Sequence, residues 1–166
     1  MPKIVPFLWF DTDAEDAAKF YVSVFKKSSK ILKVSRYGEA GPGPKGSVMV
    51  VDFQLKGQRF QALNGGPHFK LSPAFSFVVR CKTQKEVDSY WNKLVAGGGA
   101  HSQCGWLTDR FGLSWQIVPD ALEKLLASKD KAKASRVMTA MLKMSKLDIR
   151  DLEDAAANRA PKRKAS

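Results

Sequence analysis

Few side chains in this sequence are able to do covalent or metal chemistry. It contains two histidines, His68 and His101, and a cysteine, Cys104, that could act as a nucleophile beside an imidazole. We favour a buried, inert thiol for Cys104 and a surface position for His101. Asp109 and Arg110 could supply an acid and an anion clamp, but the following Phe-Gly favours a turn in which Asp109 bonds local backbone.

Amide and indole side chains offer a second kind of chemistry, the noncovalent binding of a small organic molecule. Gln61, Asn64 and Gln116 provide donors and acceptors, and Trp9 and Trp106 provide aromatic walls. This mixture suits a planar, partly polar ligand. For the tryptophans, core packing explains the residue as well as ligand contact does. An inward-facing glutamine must find a hydrogen-bond partner, which favours a ligand or water site at Gln61 and Gln116.

A repeated order of elements would position these side chains. The first copy opens with the apolar run Phe7-Leu8-Trp9-Phe10 and continues with a helix predicted over 14–25, with Asp13 as its N-cap. A Gly- and Pro-rich loop over 38–46 interrupts the strands that follow. Those strands are predicted at 31–35, 48–55 and 59–63, with a hairpin turn between the last two.

The second copy repeats this order after the linker Asn64-Gly65-Gly66-Pro67. A strand at 74–79 precedes Thr83-Gln84-Lys85-Glu86, a capping box that opens a helix. Gly97-Gly98-Gly99 ends this helix, and strands are predicted around 104–107 and at 112–118. The sequence therefore repeats one strand-helix-strand unit in each half.

Such a unit covers one sheet face with its helix and leaves the other face open. Two units can curl their open faces around a shared cleft, a favoured place for a small ligand. The predicted fold class is α+β, with tandem βαβββ modules at about 4–64 and 74–118 within a domain spanning 1–119. A helical extension is predicted over 120–157, and a disordered basic tail over 158–166.

Composition narrows the class of protein. The 166 residues are 44% hydrophobic and 27% charged, as in an ordinary globular chain, and no apolar run approaches the ~20 residues that span a bilayer. The two cysteines fit a reducing compartment, and no signal peptide is recognisable, so we expect a cytoplasmic protein. The net charge of +12 raises the question of an anionic partner, but it is spread along the chain. Without a recognition motif, a solvated basic surface is favoured over a nucleic-acid groove.

Several motifs resemble one known family. The tandem repeat, with Asp13 before a helix that holds Phe20-Tyr21, looks like the vicinal oxygen chelate superfamily, also called the glyoxalase and bleomycin-resistance fold. Within it, the linker Asn64-Gly65-Gly66-Pro67, the run over 104–116 and the segment over 136–141 resemble the PhnB-like branch. That branch carries the label 3-demethylubiquinone-9 3-methyltransferase. The resemblance covers residues 4 to about 156.

The resemblance implies four metal ligands, on the first and last strands of each module. In this sequence the matching positions are Pro6, a residue near Gln61, Ala74 or a neighbour, and Gln116. Two neutral amides would hold a divalent ion poorly, because such ions prefer carboxylate and imidazole. We therefore expect neither a metal nor another cofactor. The glycine clusters do not open a helix, as a cofactor-binding turn for methyl transfer would require, so we treat the methyltransferase label as inherited.

Three functions compete. The first is a small-molecule binding protein, expected to be a homodimer as in that superfamily, with Trp9, Gln61, Asn64, Trp106 and Gln116 as ligand contacts. The second is a metal-dependent lyase, isomerase or dioxygenase, which needs ligands that the sequence lacks. The third is a protein that binds an anionic partner through its positive charge. We favour the first.

Overall fold

The computed structural model describes residues 3–160, so most of the predicted basic tail lies outside the described residues. Within the described range, no helix is both long and apolar enough to cross a membrane. The chain divides into two units, the first ending at Ser72 and the second beginning at Pro73. Each unit contains one four-stranded mixed sheet, which confirms the predicted α+β class.

The first unit has the order strand, helix, then three strands. Its elements are β1 (Phe7–Phe10), α1 (Ala14–Phe25), β2 (Lys30–Arg36), β3 (Val48–Leu55) and β4 (Gln58–Asn64). The sheet order is β1-β4-β3-β2, with β1 parallel to β4 and the other neighbours antiparallel. The helix and the first strand have the bounds that the sequence predicts.

Alternation along the strands gives this sheet two different faces. On β3, Val51, Phe53 and Leu55 are buried, and Asp52 between them points to the opposite face. Phe53 contacts Tyr21 of α1, with ring centroids 6.3 Å apart. The helix therefore covers one face, and we call the face opposite the helix of each sheet its uncovered face.

The second unit repeats the pattern. Its elements are β5 (Ser76–Cys81), α2 (Gln84–Leu94), β6 (Ala100–His101), β7 (Trp106–Thr108) and β8 (Ser114–Pro119), in the sheet order β5-β8-β7-β6. The capping box is confirmed, since Thr83 Oγ1 accepts a hydrogen bond from Glu86 N at 3.2 Å. The two-residue strand β6 was not predicted, because it is too short to show alternation.

Three helices complete the second unit, as the sequence predicts. They are α3 (Asp120–Leu126), α4 (Lys131–Met141) and α5 (Ile149–Ala156), packed around Val137, Leu147 and Leu152, each 0% exposed. Backbone hydrogen bonds attach them to the segment before β7, because Cys104 N donates to Met144 O and Gly105 N to Ser145 O, both at 2.8 Å. The helical extension is thus built into the second unit.

Candidate functional site

Gln61 lies at the centre of the uncovered face in the first unit. It pairs with Phe7 on β1 and with Asp52 on β3. Its Nε2 donates a 2.8 Å hydrogen bond to Asp52 Oδ1, and within the described chain no donor reaches its Oε1. Phe7 is 53% exposed beside it. The amide therefore keeps a free acceptor next to an apolar ring.

Gln116 has the equivalent position in the second unit. It pairs with Val78 on β5 and with Trp106 on β7. Its Nε2 donates to Ser76 Oγ at 2.9 Å, and among residues 3–160 nothing donates to its Oε1. Val78 is 52% exposed, and Trp106 is half-buried. In each unit the glutamine therefore has a parallel neighbour strand with an exposed apolar side chain on one side and an antiparallel neighbour strand on the other.

Trp9 also lies on the uncovered face of the first unit, two residues from Phe7, but much of its indole is engaged locally. Its Nε1 donates to Gly66 O at 2.9 Å, and its ring meets Phe69 edge-on at 5.0 Å. A Cβ built on Gly65 would lie 2.3 Å from the indole. Gly65 is therefore required by this packing, whereas Gly66 is required by its positive φ of 84°.

Asn64 differs from the inward, ligand-facing position that the sequence predicts, because it lies on the face covered by α1. Its Oδ1 accepts from Ala14 N at 2.8 Å, and its Nδ2 donates to Val48 O at 3.2 Å. Asp13 precedes the helix as predicted, but its side chain makes no capping bond, and its backbone angles (φ −98°, ψ 9°) are not extended. Asn64 supplies the side-chain cap of α1 instead.

A cavity of about 600 Å³ lies beside the start of α1, within the first unit. Tyr37 forms one wall, and its hydroxyl donates to Asn64 O at 2.6 Å. Asp11, Glu15 and Asp16 also line it. Glu15 pairs with Lys19 at 2.8 Å, and this hydrogen bond lowers the pKa of the Glu15 carboxyl. The cavity is negatively charged in a protein of positive net charge.

The uncovered faces do not fit the divalent ion of the superfamily. The strand pairing places Phe7 beside Gln61, whereas the sequence comparison indicated Pro6, whose carbonyl only accepts from Gln61 N at 3.0 Å. It likewise places Val78 beside Gln116, four residues after Ala74. Neither phenylalanine nor valine can bind a metal. The described residues contain no group of three or more His, Cys, Asp or Glu side chains able to hold an ion.

Asp109 shapes the turn between β7 and β8, as predicted. Its carboxylate is 3% exposed and accepts from Phe111 N at 2.9 Å and Leu113 N at 3.1 Å. It also accepts from the indole Nε1 of Trp115 at 2.8 Å. The Arg110 guanidinium lies over the Phe111 ring, 4.7 Å from its centroid. Contacts that stabilise the turn therefore explain the residues from 109 to 115 without a ligand.

The two cysteines and His101 differ in how deeply their side chains are buried and in what they contact. Cys81 is buried, and desolvation raises the pKa of its thiol to about 12. Cys104 is half-buried, so the prediction of a buried thiol is wrong for this residue, and its φ is positive at 56°. His101 stacks on Trp91 with ring centroids 4.3 Å apart, and its Nε2 lies 3.1 Å from Trp91 O. His101 is exposed, as predicted, and its ring bonds to α2 from strand β6.

Sequence reasoning missed four residues that surround the glutamines: Asp52, Ser76, Phe7 and Val78. The hairpin turn contained a signal for Asp52. Once Leu55 pairs with Gln58 across the turn, counting three residues outward along each strand places Asp52 opposite Gln61. The parallel pairs involving β1 and β5 contained no such signal, because their strands are joined through helices.

Two units of this pattern, each with a helix on one sheet face and a glutamine on the opposite face, define a protein of the glyoxalase and bleomycin-resistance fold. In the second unit the helical extension packs on part of that opposite face, at Val118. Residues 2–118 match the 3-demethylubiquinone-9 3-methyltransferase family, and the chain belongs to that family. It is similar to the PhnB protein of Bacillus cereus, which is named for the same family. That structure is 38% identical over 70% of this chain and 98% of its own, with a TM-score of 0.63.

More distant structures share the fold alone. A protein from Pseudomonas aeruginosa, PA1353, is 20% identical over 72% of this chain and 98% of its own, with a TM-score of 0.58. The fosfomycin resistance protein FosX from Listeria monocytogenes is 14% identical over 75% and 97%, with a TM-score of 0.50. No curated protein matches the chain. The family match ends before α3, so the helical extension lies beyond it.

Proposed function

We propose that this protein binds a small organic molecule on the uncovered sheet face of a unit, with Gln61 as the polar contact in the first unit, Gln116 as the polar contact in the second, and no divalent metal. The observation that carries the proposal is the equivalent placement of the two glutamines. Each lies between a first strand with an exposed apolar side chain and an antiparallel neighbour. An exposed apolar residue beside an amide with a free acceptor is suited to a ligand.

The chemistry of these faces defines the class of ligand. Phe7 and Val78 offer apolar contact, and Trp9 and Trp106 add aromatic surface. A free amide oxygen accepts a hydrogen bond from a neutral hydroxyl or N–H, which contributes about 0.5–1.5 kcal/mol. The ligand is therefore a flat, mostly apolar molecule with at least one neutral donor group. We leave Asn64 out of this contact set because its amide caps α1.

Methyl transfer is not part of the proposal. A turn that binds a nucleoside-containing cofactor places its glycines just before a helix N-terminus. Gly66 is followed by a loop that leads to β5, and Gly97 and Gly98 follow the end of α2. Neither cluster presents a helix N-terminus to a cofactor.

A thermal-shift screen of the full chain against aromatic metabolites and antibiotics tests the proposal. Compounds that raise the melting temperature are then titrated into Gln61→Leu and Gln116→Leu. Gln103→Leu serves as the control, since Gln103 is exposed and lies outside the strands. We expect weaker binding in the first two variants and unchanged binding in the control. No stabilising compound across a broad library, or equal binding by all variants, would contradict the proposal.

Calorimetric titration with nickel, zinc and manganese tests the metal-free part separately. Two amides with apolar neighbours leave the desolvation of a divalent ion largely uncompensated, so we expect no stoichiometric binding. Tight one-to-one binding would support the alternative of a metal-dependent lyase, isomerase or dioxygenase.

We also propose a cytoplasmic homodimer. Exposed Ile4 and Phe75, which are not among the ligand contacts, support an association, because large exposed apolar side chains favour interfaces. The two free cysteines, Cys81 and Cys104, support a reducing compartment. Light scattering coupled to gel filtration gives the mass, and a monomer at micromolar concentration would contradict the dimer. Fractionation of cells that express the protein gives its location.

A further inference from the structure

A second concave surface lies in the helical extension, beyond the residues that match the family. It is a groove of about 460 Å³ between α4 and α5, within the usual range of ligand pockets. Its floor is formed by small and apolar side chains: Ala140 and Met144, with Ala155 opposite. This groove is independent of the sheet-face site.

The walls of the groove are held in place without a ligand. Arg136 of α4 donates from Nε to Ala155 O at 3.1 Å and from Nη2 to Ala156 O at 2.9 Å, which ties α4 to the C-terminus of α5. Asp148 caps the other end of α5 by accepting from Asp151 N at 3.2 Å. Binding therefore requires little ordering of the protein, which favours affinity.

The charges around the groove are mainly positive. Within the described part of the chain, Arg136 bonds only neutral carbonyls, so no carboxylate there compensates its charge. Lys143 is exposed, and among the described residues it forms no ion pair. Arg159 is neutralised by Asp154, 2.8 Å away, and Asp151 contributes one negative charge at the rim. Among residues 3–160, two cations without a carboxylate partner and one carboxylate without a cation partner remain over an apolar floor.

We infer that this groove binds a small organic anion, a carboxylate with a short apolar chain. The carboxylate lies near Lys143 and the outer N–H groups of Arg136, and the chain covers Ala140 and Ala155. Charge-assisted hydrogen bonds are about twice as strong as neutral ones, so the carboxylate provides the selectivity.

Octanoate is a suitable probe, and octylamine is its counterpart of opposite charge. Each is titrated into the full chain and followed by two-dimensional amide NMR. We expect saturable shifts confined to α4, α5 and the segment between them with octanoate, and none there with octylamine. Equal response to both compounds, or shifts elsewhere only, would overturn the inference.

Lys143→Gln provides the decisive variant, because the side chain is exposed and its loss leaves the helix contacts intact. Octanoate affinity should fall about tenfold, as expected for the loss of one charge-assisted contact. Lys131→Gln is the matched control, since Lys131 is exposed on the first turn of the same helix and outside the groove. An unchanged affinity in Lys143→Gln, or an equal loss in both variants, would refute the anion site.

Discussion

The indole Nε1 of Trp115 donates a 2.8 Å hydrogen bond to Oδ2 of Asp109, and the same carboxylate accepts two backbone N–H groups of the turn between β7 and β8. Asp109→Asn replaces one carboxylate oxygen with an NH₂ group that must oppose either the indole N–H or the backbone N–H groups, and should cost about 2–4 kcal/mol of unfolding free energy. Urea denaturation measures the loss. Exposed Asp11→Asn is the control, and a loss no larger than in this control would show that the turn does not depend on the carboxylate.

Helix α1 should depend on Asn64 more than on Asp13. Asn64→Ala removes the cap on Ala14 N and should lower the free energy of unfolding by about 1–2 kcal/mol. Asp13→Ala removes no capping bond and should change it by less than about 0.5 kcal/mol. Both values come from the same denaturation experiment. The reverse order would mean that Asp13 caps the helix in solution.

Gly65 and Gly38 provide a second matched pair. Gly65→Ala would place its Cβ 2.3 Å from the Trp9 ring, so we expect a loss of about 1–3 kcal/mol as the indole moves. A Cβ on Gly38 meets nothing within 4 Å, so Gly38→Ala should lie within about 0.5 kcal/mol of wild type. Equal melting temperatures for the two variants would contradict the packing of Trp9 against the linker.

The two thiols should react very differently. Burial raises the pKa of Cys81 to about 12, so its reactive thiolate is scarce at pH 8, whereas Cys104 is half-buried. Iodoacetamide labelling followed by peptide mass spectrometry should modify Cys104 first. Faster labelling of Cys81 would contradict its buried position.

The raised pKa of Cys81 also has a consequence for stability. Above pH 9 the unfolded chain loses this proton while the folded chain keeps it, so stability is full below that pH and declines towards pH 12. The wild-type decline should be steeper than that of Cys81→Ala, by at most about 1.4 kcal/mol per pH unit. If the free energy of unfolding fell equally with pH in the wild type and in Cys81→Ala, the raised pKa of Cys81 would be contradicted.

The helices could be predicted from local sequence patterns, because apolar periodicity and capping residues determine where a helix forms. The spacing of Ala17, Tyr21 and Val24 was sufficient for α1, and Thr83 with Glu86 was sufficient for the start of α2. Contacts between residues that are distant in the sequence produce no local sequence pattern, so they could not be predicted. Asn64 caps a helix that begins fifty residues earlier, a relation that depends on the parallel pairing of β1 with β4.

The candidate site was predicted in part for the same reason. Gln61 and Gln116 could be chosen because an amide at an inward strand position requires a partner. Their neighbours Phe7 and Val78 depend on strand register, which the intervening helices conceal. The role of Cys104 in attaching the helical extension is a backbone contact, so its side chain gave no indication of it.

The most direct test of the proposed function is one calorimetric titration of a stabilising compound from the screen, repeated with EDTA and with Gln116→Leu. We predict the same affinity with and without EDTA, and an affinity about tenfold weaker in the variant as the amide contact is lost beside an apolar surface. Binding that disappears with EDTA, or that is unchanged in Gln116→Leu, would contradict a metal-free ligand site on the uncovered faces.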